Sequence, residues 1–348
     1  MNSFCKIALF LIAAVLGACN NGKQEIVYGK SFAETKALAA AAGKPFCIVL
    51  SRPDCPPCSD YVRTLNSDEN ELSKLAVFNI VDTSKPENEW YPMWLATASW
   101  PSTCIFSPDS KLTAVVSGVA QQCISCIENV LRGETECASY FYSKHYDSYG
   151  DVFAALNDIL QCKLRLDAGE NIEPEISLTT DKMAYPYNLY LKSLNAHNNG
   201  DEATAKASAE KQLSFNDAFG IRLYGGIMAE AKKIIDPTYS PETDALLAVE
   251  KQIRLVGCTW GEARPFSIEI TNAGKSRLQI LDIMTSCSCV SLVSGKTHSV
   301  EPGKSLKIDF EFKGDREGEV FREVSFASNG ANPIETVEIT ATVLKPKE

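Results

Sequence analysis

Four consecutive residues, Cys55-Pro56-Pro57-Cys58, carry the strongest chemical signal in the sequence. Two thiols at this spacing can form a redox dithiol, supply half of a zinc site or close a structural disulfide. Their setting favours redox chemistry. The apolar run Phe46-Cys47-Ile48-Val49-Leu50 ahead of them reads as a strand buried on both faces, and a short helix follows, in a β-α-β context. The first thiol then sits at a helix N-terminus, where partial positive charge favours the attacking thiolate. Pro56 and Pro57 occupy first-turn positions whose amides have no intrahelical acceptor. Cys58, one turn further on, can attack a mixed disulfide and release the product.

The chain holds 13 cysteines and only 3 histidines. Cys123-Ile124-Ser125-Cys126, at the expected start of a helix, is a candidate second disulfide. Cys47 and Cys104 fall in apolar strands and read as core thiols packing as small hydrophobes. Cys137 and Cys162 carry no readable signal. Cys287 and Cys289 lie two apart in Thr285-Ser286-Cys287-Ser288-Cys289. On a strand that spacing puts both on one side, where they could hold a soft metal with Cys258 or His298. Zinc would need two more ligands at suitable spacing, which the sequence does not offer, so no metal site and no cofactor are expected. His145, His197 and His298 are scattered and read as surface residues. Nucleophile-elbow, zincin and phosphate-loop motifs do not occur in the sequence.

Stepping outward, the chain has 348 residues, 45% hydrophobic and 22% charged, enough for two or three domains. Its formal net charge of −10, without a long Lys/Arg run, argues against nucleic acid as a partner. Residues 1–18 hold one cation, Lys6, then an apolar stretch over 7–16 and the small residues Gly17 and Ala18. This is the pattern of a secretory signal and is too short to span a membrane. Leu16-Gly17-Ala18-Cys19 resembles the bacterial lipobox, which implies cleavage before Cys19 and its lipidation, with 19–25 as a tether. The resemblance makes the membrane a partner through a lipid anchor, and Asn20 favours the outer membrane. Cys5 would leave with the signal and Cys19 would carry lipid, so 11 of the 13 cysteines would remain for other roles.

Three zones follow. Residues 26–136 read in the order βαβαβ(α)ββα. A capping box at Ser31-Phe32-Ala33-Glu34 opens the first helix and Gly43 closes it. Strands are expected at 26–28, 46–50, 76–81, 104–106 and 112–117, the last two joined through the turn Pro108-Asp109-Ser110-Lys111. Residues 137–246 lack strand signals. Helices are expected over 151–167, 182–198, 201–213 and 218–235, with Asn199-Gly200-Asp201 as the turn of a helical hairpin, weakly tetratricopeptide-like. Residues 247–348 alternate with period two at Phe266, Ile268 and Ile270, at Leu306, Ile308, Phe310 and Phe312, and at Val337, Ile339, Ala341 and Val343. With turns at Asn272-Ala273-Gly274, Pro302-Gly303 and Ser328-Asn329-Gly330, this argues for a β-sandwich of about seven strands.

The first zone, over roughly 26–132, resembles the thioredoxin family through Cys55-Pro56-Pro57-Cys58 and through Pro101, which matches the cis-proline opposite the dithiol. The resemblance implies that Cys55 is the nucleophile and Cys58 the resolving thiol. Trp100 and Pro101 would offer a backbone edge that pairs with a substrate strand. Two positions depart from the family. Asp54 replaces the usual Trp, and its carboxylate opposes a thiolate at Cys55; Val49 replaces the buried acid that helps deprotonate the resolving thiol.

The third zone resembles a bacterial immunoglobulin-like family of unknown function, related in fold to domains of ciliary and centrosomal proteins. The resemblance rests on Asn272-Ala273-Gly274, the Cys287/Cys289 segment, Pro302-Gly303 and Ser328-Asn329, with Ser288 in place of the family's usual Gly. The expected architecture is thus multidomain: an α/β thioredoxin fold, an α-helical domain and an all-β immunoglobulin-like sandwich. The expected function is thiol-disulfide exchange on the dithiols or disulfides of protein substrates, by an envelope lipoprotein facing the periplasm. The alternative is a non-enzymatic envelope adaptor in which the same domains only bind.

Overall fold

The computed structural model describes residues 26–53, 55–67, 71–134, 143, 145 and 149–345. Among these the chain divides into two units. The first contains the described residues up to Asp82 and from Trp100 to Glu134; the second contains Thr83–Ser99 and the described residues from 143 onward.

The first unit is α/β. It opens with β1 (Ile26–Tyr28), α1 (Phe32–Ala42), β2 (Phe46–Ser51), α2 (Pro56–Leu65), α3 (Leu72–Leu75) and β3 (Val77–Asp82). The chain then leaves this unit for the segment that contains α4 (Trp90–Leu95), and returns as β4 (Ser102–Phe106), β5 (Leu112–Ser117) and α5 (Gln121–Arg132). The sheet order is β1-β3-β2-β4-β5. The first three strands run parallel, whereas β4 and β5 are antiparallel to their neighbours.

Local chemistry explains these elements. The Ser31 hydroxyl accepts from the Glu34 amide at 3.2 Å and the Glu34 carboxylate accepts from the Ser31 amide at 2.9 Å, closing the expected capping box. Gly43 ends α1 with φ +65°, a left-handed conformation that glycine adopts without strain. Strand β2 is buried on both faces, as its continuous apolar run predicts. On one face Phe46 stacks on Phe106 at 4.7 Å, with Phe32 edge-on to both. On the other, Cys47 and Val49 pack with Tyr61, Leu65, Phe78 and Ile105.

The second unit holds helices and strands. Its helices are α4, α6 (Tyr149–Asp167), α7 (Glu175–Lys182), α8 (Pro186–Asn198), α9 (Glu202–Leu213) and α10 (Ala218–Ile235). Segment 83–99, expected within the first zone, docks here: the fully buried Trp94 donates its indole N–H to the Leu156 carbonyl at 2.9 Å, and Tyr185 donates its hydroxyl to the Trp94 carbonyl at 2.8 Å. The helix expected over 182–198 forms from Pro186, and a further helix, α7, precedes it. Lys182 ends α7, and α8 starts at Pro186 with the Asn188 side chain accepting from the Tyr185 amide at 2.9 Å. Helix α7, only 8 residues long, is too short for periodicity to reveal it. The α8–α9 hairpin forms at the expected turn, with Gly200 at φ +78° and Asp201 capping α9 through the Thr204 amide.

The strands are β6 (Leu247–Val249), β7 (Gln252–Thr259), β8 (Ala263–Asn272), β9 (Leu278–Thr285), β10 (Val290–Leu292), β11 (His298–Val300), β12 (Ser305–Lys313), β13 (Gly318–Ser328) and β14 (Ile334–Leu344). They form a four-stranded sheet, β10-β12-β8-β6, and a five-stranded sheet, β11-β9-β13-β14-β7. Of these nine strands, against about seven expected, β6, β10 and β11 have only 3 residues each, too few for an alternating pattern to reveal. The predicted inward rows, Ile268 and Ile270, Ile308, Phe310 and Phe312, and Val337, Ile339, Ala341 and Val343, all enter one apolar core.

The polar turn motifs serve packing. Asn272 is fully buried, and its amide donates to the Ser276 and Val300 carbonyls at 2.8 and 2.9 Å while its oxygen accepts from the Gly274 amide at 3.0 Å. Gly274 lies so close to residues 244–246 that a Cβ would fall 2.2 Å from the Asp244 carbonyl oxygen. Asp244 receives Lys232 of α10, the Tyr239 hydroxyl at 3.0 Å and the Ala245 amide at 2.8 Å, tying the last helix to the strands. No helix among the described residues is long and apolar enough to cross a membrane.

Candidate functional site

Cys55 is the N-cap of α2, in an extended backbone conformation (φ −128°, ψ 92°), with Pro56 and Pro57 at the first helical positions. That conformation turns its side chain over the helix end. Its sulfur is bonded to Cys58, with a Cα–Cα distance of 5.2 Å, and accepts the Cys58 amide at 3.2 Å. Cys55 is half-buried, whereas Cys58 is 1% exposed. An attacking group can therefore reach the first sulfur and not the second. A thiolate released at Cys55 would keep the Cys58 N–H donor, and charge strengthens such a bond. Asp54 and Cys19 lie outside the described residues.

The Trp100–Pro101 peptide is cis. Pro101 is buried and its carbonyl accepts the Gly118 amide at 2.9 Å; Trp100 is half-buried. The guanidinium of Arg52, at the end of β2 and three residues before Cys55, lies 4.9 Å from the centre of the Trp100 ring. The structure thus brings the strand end ahead of the dithiol to the turn that carries Trp100 and Pro101. Arg52 was not singled out in the sequence, because a lone arginine after a strand has no distinctive spacing.

Beneath this lies a buried layer. Val49 faces the cluster that holds Cys47, Tyr61 and Cys123. The Tyr61 hydroxyl is hydrogen-bonded to Thr103 Oγ1 at 3.0 Å, and burial pushes its pKa well above the ordinary phenol range, so the hydroxyl stays protonated. Cys47 and Cys104 sit on neighbouring strands in the registers Cys47↔Ile105 and Ile48↔Cys104, hence on opposite faces of the sheet. Both are free thiols, and burial drives both strongly toward the neutral form.

The second candidate pair does not form. Cys123 is a free thiol that donates to the Ser117 carbonyl at 3.5 Å, and Cys126 is in a disulfide with a different partner. Both residues lie inside α5, after its N-cap Ala120. Side chains three apart within a helix have Cβ atoms about 5–6 Å apart, whereas a disulfide needs about 3.5–4.5 Å. Cys55 escapes this limit because it is the cap itself.

Cys287 and Cys289 are joined to each other, with a Cα–Cα distance of 5.3 Å, in the turn between β9 and β10. The suggested metal ligands do not gather around them. His298 is on β11 and Cys258 on β7, the opposite edges of the five-stranded sheet, four strand steps and about 19 Å apart. Among the described residues no group of three or more His, Cys, Asp and Glu could hold a metal ion. His197 is exposed beside Glu202 at 3.1 Å, as expected, but His145 packs against Tyr185 and Phe215 at ring distances of 5.4 and 6.0 Å. His298 is half-buried.

Residues 247–343 match a family described as a protein of unknown function, DUF1573. No curated protein sequence matches the chain. Among solved structures, a Porphyromonas gingivalis protein of unknown function is 16% identical with a TM-score of 0.27; the match covers 31% of this chain and 50% of that one. The ASH/PapD-like domain 7 of human CEP192 is 13% identical with a TM-score of 0.25, covering 32% of this chain and 92% of that domain. Thioredoxin O2 from Arabidopsis thaliana, in its oxidised state, is 18% identical with a TM-score of 0.25, covering 34% and 96%.

Proposed function

We propose that the first unit has a thioredoxin fold and performs thiol-disulfide exchange on protein partners through Cys55 and Cys58. The observation that carries this reading is the placement of the pair: an accessible Cys55 sulfur at a helix cap, bonded to a buried Cys58 whose amide points at it. The strand order β1-β3-β2-β4-β5, with the last two strands antiparallel, and the cis Trp100–Pro101 peptide support it.

A partner thiolate attacks Cys55 Sγ, the Cys55–Cys58 bond breaks, and its electron pair leaves on Cys58 Sγ, which takes up a proton. A second partner thiolate attacks its own sulfur in the mixed disulfide and releases Cys55. The partner dithiol is oxidised and the pair reduced; the reverse sequence reduces a partner disulfide. With apolar Val49 where relatives carry an acid, deprotonation of Cys58 is slow and mixed disulfides persist.

The same reading has residues 1–18 removed and Cys19 lipidated, which tethers the protein to the bacterial envelope facing the periplasm; the support is the 16–19 motif. The β-domain is read as an immunoglobulin-like sandwich that binds partners. The test is a full-length Cys58→Ala variant expressed in cells, with Cys55→Ala as control. Partners trapped as mixed disulfides with the first and absent from the second support exchange. No trapped partner, together with a Cys55–Cys58 bond that neither accepts nor donates electrons with a model dithiol, leaves the adaptor reading in its place.

A further inference from the structure

The geometry points to a second thiol-exchange site, independent of Cys55 and Cys58, at the Cys287–Cys289 disulfide, with Arg322 stabilising Cys289 as the leaving thiolate. The substrate class is a protein dithiol.

Arg322 falls in the row Val320, Val324, Phe326 along β13, the face that turns into the apolar core. A cation in such a row needs partners. Arg322, its side chain only 15% exposed, donates Nε–H to Cys289 Sγ at 2.9 Å and its NH2 group to both Asp315 oxygens at 2.9 and 3.0 Å. The NH1 group donates to the Phe321 carbonyl at 2.8 Å. One carboxylate and one sulfur therefore answer the charge. A disulfide sulfur is a weak acceptor, whereas a thiolate at the same position would be a full counter-charge.

The two sulfurs are not equivalent. Cys287 is half-buried between exposed Ser286 and Ser288, while Cys289 is 8% exposed. An incoming thiolate reaches Cys287 Sγ and forms a new S–S bond there. The Cys287–Cys289 bond breaks, and its electron pair leaves on Cys289 Sγ beside the guanidinium. A lower leaving-group pKa speeds this step. The partner's second thiolate then attacks its own sulfur in the mixed disulfide and releases Cys287. The partner dithiol is oxidised, the pair reduced, and the two protons of the dithiol end on Cys287 and Cys289.

A purely structural role fits poorly. The disulfide spans a sequence separation of 2, and the shortest loops constrain the unfolded chain least. The turn is also held without it. The Thr285 hydroxyl donates to the Cys287 carbonyl at 3.1 Å, the Lys313 amide to the Cys289 carbonyl at 2.8 Å, and the Glu323 amide to the Ser286 hydroxyl at 2.9 Å. Opening the bond leaves these contacts in place.

The test uses the full chain carrying Cys55→Ser and Cys58→Ser, so that exchange at the first pair cannot contribute and its failure cannot be mistaken for failure here. The protein is treated with excess glutathione, quenched with an alkylating agent, and the 278–292 region is read by mass spectrometry. Glutathione is expected on Cys287 and the alkyl group on Cys289. Arg322→Gln should slow opening about tenfold, the scale of a lost hydrogen bond to a charged group. Arg322→Lys, which keeps the cation, should recover part of the rate and guards against a folding defect. Glutathione on Cys289, equal rates in Arg322→Gln, or a bond that opens only when the protein unfolds would each overturn the proposal.

Discussion

Arg52 and Trp100, 48 positions apart in the chain, are in contact: the guanidinium carbon stands over the indole, 4.9 Å from its centre. The contact links the strand end that precedes the dithiol to the turn that leads into β4, the strand paired with β2. It holds the relative position of the accessible sulfur and the backbone edge proposed to receive a substrate strand.

Loss of this contact should weaken exchange without unfolding the protein. A cation–π pair at a partly exposed site contributes about 0.5–1 kcal/mol. Arg52→Ala is therefore expected to slow exchange with a peptide disulfide by roughly two- to fivefold, and Arg52→Lys by less. Stopped-flow rates, with thermal unfolding as a control, check this; an unchanged rate in Arg52→Ala would remove the positioning role.

The thiols should separate sharply in reactivity. In reduced native protein at pH 8, iodoacetamide should label Cys55 first, because its sulfur is accessible and capped by the helix end. Cys47, Cys104 and Cys162 should stay unlabelled until denaturant is added. Burial pushes the Cys162 thiol up to about 11, and drives Cys47 and Cys104 higher still. Time-resolved mass spectrometry of tryptic peptides reads the order.

Acid should loosen the attachment between α10 and the strands. Burial alone would raise the Asp244 carboxyl, but Lys232, the Ala245 amide and the Tyr239 hydroxyl outweigh it and hold the group below the ordinary carboxylate range. A depressed folded value means that the contribution is complete above the unfolded value, about 3.9, and is lost as pH falls through the folded value. Asp244→Asn should lower stability by about 1–2 kcal/mol at pH 7. Its deficit against the parent should shrink as pH falls below the unfolded value of about 3.9 and level off once pH is below the folded value of Asp244. Urea denaturation at several pH values measures this, and a deficit that is constant with pH would contradict it.

Glycine substitutions should discriminate packing from conformation. A Cβ at Gly274 would fall 2.2 Å from the Asp244 oxygen and 2.4 Å from the Leu246 nitrogen, both backbone atoms that cannot swing aside. Gly274→Ala is expected to destabilise by about 1–3 kcal/mol. At Gly295 a Cβ meets nothing within 4 Å, so Gly295→Ala should stay within about 0.5 kcal/mol of the parent. Paired thermal melts provide the comparison.

Much of the local structure was legible in the residues. Ser31 and Glu34 announce a capping box because both partners are close in sequence, and Gly43 announces the end of that helix. The buried strand at 46–50 followed by Cys55 and Cys58 gave the position of the pair, since burial pattern and helix-cap chemistry are both local. Alternation along 306–312 and 337–343 gave the inward rows of the sandwich, because the period of a strand fixes its faces.

What stayed hidden depends on partners distant in the chain. The apolar residues of 90–95 look alike whether they cover one core or another; only packing sends Trp94 to Leu156 and Tyr185, into the second unit. Cys123 and Cys126 share a spacing with Cys55 and Cys58, yet helical geometry keeps them apart. Cys287 and Cys289 could have faced a metal or each other; the fold joins them to each other and gathers no group of three or more His, Cys, Asp and Glu that could hold a metal ion among the described residues. The sequence by itself determined which thiols can be close neighbours and which residues face inward, because period and capping act within one turn or one strand. The tertiary structure decided which thiols pair and which cations meet them, as with Arg322 and Cys289, because those distances are set by how strands stack and not by how far apart they lie in the chain.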